Sequence, residues 1–124
     1  MPQGALQANV ATNPNNARAP LTTDASGNLL IGNGSLNKLN VTAATVIKAA
    51  PGRVCKITVN TVPTSSAVSV NDVTTTGGAA ASNLVLSVAS AQLTAGQIIN
   101  LDFPCTAGIV VNPGTSGVVS VSFD

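Results

Sequence analysis

No histidine, tryptophan, tyrosine or glutamate occurs among the 124 residues of this chain, and only five basic and four acidic side chains carry charge. Histidine is the usual group that titrates near neutral pH. Its absence removes Ser/His/Asp and Cys/His nucleophilic constellations, which need a base to take the nucleophile's proton. The acid/base inventory reduces to Asp24, Asp72, Asp102, Asp124 and the thiols of Cys55 and Cys105. Only Phe103 and Phe123 are aromatic. A core must therefore be built from Val, Ile, Leu and Ala, which bury less area per side chain than aromatic residues do. Ala, Val, Thr, Ser, Asn and Gly dominate instead. That composition suits a structural building block rather than an enzyme.

A net charge of +1 gives no field that would steer the surface toward nucleic acid or a membrane. Lys48, Arg53 and Lys56 lie close in sequence, but cations without interleaved aromatics are a poor nucleic-acid signature. No apolar run approaches the roughly 18 residues of a membrane span. Met1-Pro2-Gln3-Gly4 lacks the basic and apolar regions of a signal peptide, so synthesis in a cytosol is the expectation. In that reducing compartment Cys55 and Cys105 are expected to be free thiols. A Cys55–Cys105 disulfide is the alternative, and it would stabilise by on the order of 4 kcal/mol through its long loop. Two thiols without histidine cannot complete a tetrahedral metal site. No metal and no cofactor is expected.

Residues 1–26 differ from the rest. Gln3, Asn9, Asn13, Pro14, Asn15, Asn16, Arg18 and Pro20 crowd a stretch with little periodicity. It reads as an extended amino-terminal arm without a core of its own. Its anchors for a partner are Leu6, Val10, Arg18 and Leu21.

Residues 27–124 read as one β domain, because apolar residues recur there with the period of two that marks half-buried strands. Segments are expected at 28–31, 36–45, with 46–49 continuing it or beginning another strand, and at 53–62, 67–73, 83–89, 97–103, 109–112 and 118–123. Pro51-Gly52, Gly77-Gly78 and Pro113-Gly114 punctuate them. On one face alternation places Leu39, Val41 and Ala43, then Cys55, Ile57 and Val59, and later Leu84, Leu86 and Val88. Pro63 and Pro104 end strands. The expected core is Ile57, Val59, Leu84, Leu86, Ile99, Leu101, Phe103, Val119 and Val121. About eight short strands with one-sided alternation give an all-β antiparallel β-sandwich or jelly roll.

Other chemistries fail in turn. Asp72 and Asp102 could approach one another as a glycosidase pair, but sugar sites usually add an aromatic platform. No GxxxxGK phosphate loop is present. Neither Asn71-Asp72 nor Asn100-x-Asp102 resembles a calcium loop.

Several phrases do carry a likeness. They are Val41 to Lys48, Ala50-Pro51-Gly52-Arg53-Val54, Phe103-Pro104-Cys105-Thr106-Ala107-Gly108-Ile109-Val110-Val111, Pro113-Gly114-Thr115, and the closing Val118 to Phe123. Together they resemble a family of small tailed-bacteriophage virion proteins, over about two thirds of the chain. Asp24-Ala25-Ser26-Gly27-Asn28-Leu29-Leu30 is also a phrase common in phage structural proteins. The resemblance implies a non-enzymatic virion component made in the host cytoplasm. The first expectation is a capsid decoration or cement protein on the capsid surface, bridging subunits of the major capsid protein. It would be a homo-oligomer, with a trimer as the first guess, and would bind neither nucleic acid nor membrane. A fibre, neck or tail module is the alternative, but fibres usually show longer repeats or a coiled-coil stem. A carbohydrate-binding sandwich is the further alternative, weakened by the missing Trp and Tyr.

Overall fold

The computed structural model describes residues 10–12, 18–20, 25–26 and 34–124. The chain divides into two units, Met1–Gly32 and Asn33–Asp124. In the first, the backbones of β1 (Val10–Thr12) and β2 (Arg18–Pro20) pair antiparallel, with Ala11 opposite Ala19. Leu6, Leu21 and the expected strand at 28–31 lie outside the described residues, as do the side chains of Val10 and Arg18.

The second unit holds eight strands: β3 (Leu36–Val41), β4 (Thr45–Lys48), β5 (Gly52–Thr61), β6 (Val68–Asn71), β7 (Leu84–Val88), β8 (Ile98–Cys105), β9 (Ile109–Asn112) and β10 (Val118–Phe123). They form two four-stranded sheets, ordered β3-β10-β5-β8 and β4-β9-β6-β7, and every pairing is antiparallel. The strands pair from the outside inward: β3 with β10, β4 with β9, β5 with β8 and β6 with β7. One long hairpin, with its tip between β6 and β7, is wound so that successive rungs fall in alternate sheets. This is the connectivity of a jelly roll, in which chain neighbours face each other across the core.

The core lies between the sheets and is supplied mainly by the four inner strands. Val54, Ile57 and Val59 of β5, Val68 and Val70 of β6, Ile109 and Val111 of β9, and Val119, Val121 and Phe123 of β10 are buried in one cluster. β-branched residues dominate it, as suits a pleated surface packed on one face. Ile99, Leu101 and Leu86, expected in the core, are partly buried and pack against its margin.

Other expectations are corrected, and the cause is the same each time. The segment 36–45 is two strands, not one. β3 ends at Val41 and the chain crosses to the second sheet through residues 42–44. Its register against β10 slips between Val121↔Lys38 and Val119↔Val41, so β3 carries one extra residue there. Asn40 takes a left-handed φ of 52°, which Asn tolerates better than most residues. Val41 consequently turns inward while Leu39 is 62% exposed.

β8 slips likewise between Val54↔Phe103 and Lys56↔Asn100, with Asp102 at φ 47°. Phe103 leaves the core and is 43% exposed, and β8 runs through Pro104 to Cys105 instead of ending at the proline. β7 slips between Val70↔Leu86 and Asn71↔Leu84. Val85 packs on the core margin in place of Leu84, which is 46% exposed. β4 slips between Val46↔Val110 and Lys48↔Ile109. All four outer strands therefore carry a bulge, a device that re-aims side chains and is common at sheet edges.

Candidate functional site

The three aspartates of the second unit have structural partners. Asp72, just after β6, holds the β8–β9 connection. Its carboxylate accepts from the Thr106 amide at 2.9 Å, the Thr106 hydroxyl at 3.1 Å, the Ala107 amide at 2.8 Å and the Gly108 amide at 3.2 Å. Those donors, the Thr106 amide foremost, hold its pKa below the usual carboxylate value. Gly108 is required by close approach, since a Cβ there would sit 2.6 Å from the Val73 carbonyl oxygen. Beside it, Asn71 is buried and donates to the Ala80 carbonyl and the Asn83 side chain, fixing the 3-10 turns Thr76–Gly78 and Ala81–Asn83.

Asp124 ties the end of β10 to the start of β3. Its carboxylate accepts from the Gly34 amide at 3.0 Å, the Ser35 amide at 2.9 Å and the Ser35 hydroxyl at 2.8 Å. The Ser35 and Gly34 amides are the leading reasons its pKa is depressed to about 2. Its backbone also exchanges both hydrogen bonds with Arg53. Gly34 adopts φ +88°, and a Cβ there would lie 2.9 Å from Ser122 Oγ.

Asp102 meets Arg53 instead of Asp72. Its Oδ1 lies 3.3 Å from Arg53 Nη1, with the carboxylate 69% exposed. Asp72 and Asp102 are thus held by different partners, the β8–β9 connection and Arg53. Among the described residues no group of three or more His, Cys, Asp or Glu gathers as a metal site.

Cys55 and Cys105 are both buried and unbridged. The alternation that put Cys55 with Ile57 and Val59 is broken, because β10 pairs Ser122 with Lys56 and Phe123 with Val54, skipping Cys55. Val54 takes the core position, while the Cys55 thiol faces Asp124 Oδ2 at 3.7 Å. Burial and then the Asp124 charge raise its pKa. Cys105 joins the main core, where burial pushes its thiol up to about 11. Neither is poised as a nucleophile.

On the outer face of the first sheet lies a shallow depression lined by Asn37, Leu39, Lys56, Thr58, Ser120 and Ser122, among others. It offers hydroxyls, an amide and one lysine, without a base to activate them.

The feature with functional reach is the distribution of exposed apolar residues. Among the described residues the large ones are Leu36 and Leu39 on β3, Val46 on β4, Leu84 on β7, and Ile98 and Phe103 on β8. All six stand on outer strands. Leu39 lines the outer-face depression beside Thr58, and Ile98 lies opposite Thr58, so both belong to the outer face of the first sheet. Leu36 and Phe103 lie opposite the core residues Phe123 and Val54, at the margins of the core. Alternation placed Leu84 and Phe103 in the core and set Leu39 on the same face of its strand as Val41. The signals that could have found them are Asn40 and Asp102, residues tolerant of the left-handed region placed within apolar strands, and the proline at 104.

These outer strands are poor templates for backbone pairing. Lys38 lies opposite Val121, a core residue, yet is itself exposed, so β3 carries a charge at an inward register position. β8 carries Pro104 and a bulge. Charged inward positions, prolines and bulges are the usual means of blunting a sheet edge.

No family model, no curated protein and no solved structure matches the chain.

Proposed function

We propose that this chain is a non-enzymatic structural protein of a tailed-phage virion that decorates the capsid surface and stabilises it by bridging major capsid protein subunits. The observation that carries the reading is that, among the described residues, all six large exposed apolar side chains stand on the outer strands, each of which carries a bulge. Isolated apolar residues on a surface are ordinary, but their placement on the outer strands of both sheets suits burial against other chains. The sequence phrases that resemble small phage virion proteins support it. So does the jelly roll, a framework common in viral capsid proteins, although a fold by itself does not define a function.

In this reading the protein works as a homo-oligomer, a trimer at first count, and the amino-terminal arm adds grip through Leu6, Val10, Arg18 and Leu21. Ordering an arm costs on the order of 1–2 kcal/mol per residue, which docking must recover by backbone pairing and apolar burial.

Imaging purified particles with and without the protein tests the proposal. Added back, it should occupy regular positions on the capsid shell and raise the temperature at which particles release their contents. Deleting residues 1–26 should leave the sandwich folded and lower occupancy. Density at a fibre, neck or tail, or no binding to shells that lack it, would overturn the reading.

A further inference from the structure

The outer faces of the two sheets differ. On the second sheet Asn71 and Val110 are cross-strand neighbours on that face, and both are buried. Asn71 donates there to the Ala80 carbonyl and the Asn83 side chain, so the segment after β6 is folded back over the sheet. On the first sheet Asn37, Leu39, Lys56, Ile98 and Asn100 are all exposed.

Two rows of side chains cross this bare face. Asn37, Ser122, Lys56 and Asn100 are successive neighbours from β3 to β8. Beside them run Ser120, Thr58 and Ile98, with Leu39 at the β3 margin. The depression between the rows measures about 220 Å³. Lys56 is the one cation of the two rows, which carry no carboxylate, and among the described residues it has no ion pair. Ser120 Oγ accepts from the Asn40 amide at 3.2 Å and from the Asn60 side chain at 3.0 Å, which leaves its own proton to donate.

We propose that this face is the contact surface for a chain of different sequence, and that it seats a carboxylate of that partner between Lys56 and the hydroxyls of Ser120 and Ser122. An ionised carboxylate only accepts hydrogen bonds, and this depression offers an ammonium and hydroxyls to donate them. Charge-assisted bonds of that kind are the stronger ones. Leu39 and Ile98 stand on the two outer strands, three strand spacings or roughly 14 Å apart. Aliphatic groups of the partner resting on them would exclude water on both sides of the charged centre.

Other occupants fit less well. Nucleic acids and anionic membranes are held by many cations, and a single lysine without aromatic neighbours does not match them. A second copy would have to offer a free carboxylate, and Asp72, Asp102 and Asp124 are each held within their own chain. The identity of the partner, a major capsid protein subunit, rests on the function proposed above; the carboxylate seat does not.

The test compares binding of the full chain to capsid shells that lack it with binding of Lys56→Glu, Lys56→Arg and Leu39→Asn. Ser87→Glu, exposed on the second sheet, is the control. All three positions are exposed, and unchanged circular dichroism and urea midpoints confirm folding. Lys56→Glu should weaken binding about tenfold or more, because it opposes like charges. Lys56→Arg should bind as the parent does, Leu39→Asn should lose less than Lys56→Glu, and Ser87→Glu should lose nothing. A Lys56→Glu chain that binds as tightly as the parent would overturn the inference and leave the capsid reading standing.

A parent that binds no shell would overturn the capsid reading, and a measurement without shells then decides the inference. Amide resonances of the labelled chain are followed as a short capped peptide of leucine, glutamate and leucine is added, with glutamine in place of glutamate as its neutral match. Saturable shifts centred on Lys56, Ser120 and Ser122, absent with the neutral peptide and absent in Lys56→Glu, would uphold the carboxylate seat. Equal shifts with both peptides, or no shifts, would overturn it as well.

Discussion

The inner and outer strands of this sandwich solve different problems with the same few residue types. β6 and β9 pair in unbroken register, and β5 takes its extra residues, Asn60 and Cys55, only near the ends of its pairing with β10, holding register from Val119↔Val59 to Ser122↔Lys56. These strands send Val and Ile into the core with little exception. The outer strands β3, β4, β7 and β8 each slip by one residue against their single neighbour. An inner strand is fixed on both flanks, so an extra residue must be accommodated by two partners. An outer strand has one partner and solvent on its other side, so a bulge costs less and re-aims side chains outward. One population of apolar residues thus forms the core and another lies exposed on the outer strands.

The sharpest way to break this comparison is to truncate one side chain of each kind. Ile57→Ala or Ile109→Ala removes a fully buried side chain and should cost about 2–5 kcal/mol in urea denaturation. Phe103→Ala, despite deleting a larger group, should stay within about 1 kcal/mol, since nearly half of it already meets water. Equal losses would show that Phe103 belongs to the core after all.

A smaller effect sharpens the picture where the strands are joined. Gly108→Ala would set a methyl 2.6 Å from the Val73 carbonyl and 2.8 Å from that of Lys48. The backbone must move to make room, at about 1–3 kcal/mol. A thermal midpoint unchanged from the parent would rule out that packing.

Acid titration probes the clamp that closes β3 onto β10. The Asp124 pKa is about 2 in the folded chain, against about 3.9 for an unfolded aspartate. A depressed folded value means that stability is present in full above the unfolded pKa and is lost as pH falls through the folded one. The advantage of the parent over Asp124→Asn in urea midpoint should therefore hold near neutrality and shrink between about pH 4 and pH 2. Asp72 is depressed in the same direction and should add to the acid sensitivity of the parent. A gap between parent and variant that is constant with pH would remove the carboxylate from the account.

The least energetic test concerns the thiols, both on strands of the first sheet. With Cys55 raised by burial and Cys105 pushed up to about 11, neither should react with iodoacetamide in the folded protein at mildly alkaline pH. Both should be alkylated after unfolding without reductant, giving a mass gain of two groups. A pair that stays unmodified when unfolded would be bridged.

The strands themselves were legible because period-two patterning and Pro/Gly punctuation are local. Pro51-Gly52 and Pro113-Gly114 flank β5 and β10 as expected. The errors fall on the outer strands, at Leu39, Leu84 and Phe103, and at Cys55 beside a skipped pairing. Alternation is a statement about a regular strand, and one inserted residue inverts every side chain beyond it. The carboxylate clamps were not legible at all. Asp72 finds its donors 34 to 36 positions away, and Asp124 finds Gly34 across 90.

By itself, the sequence determined what the chain is made of and what it lacks. It has aliphatic strands, short turns, few charges, and no histidine to serve as a base. These follow from residue type and spacing, which act within a few positions along the chain. Only the tertiary structure decided which strands lie inside and which lie at the margins, and hence which apolar residues become core and which face outward. That choice depends on pairing between strands far apart in sequence, where winding the hairpin assigns each strand two neighbours or one.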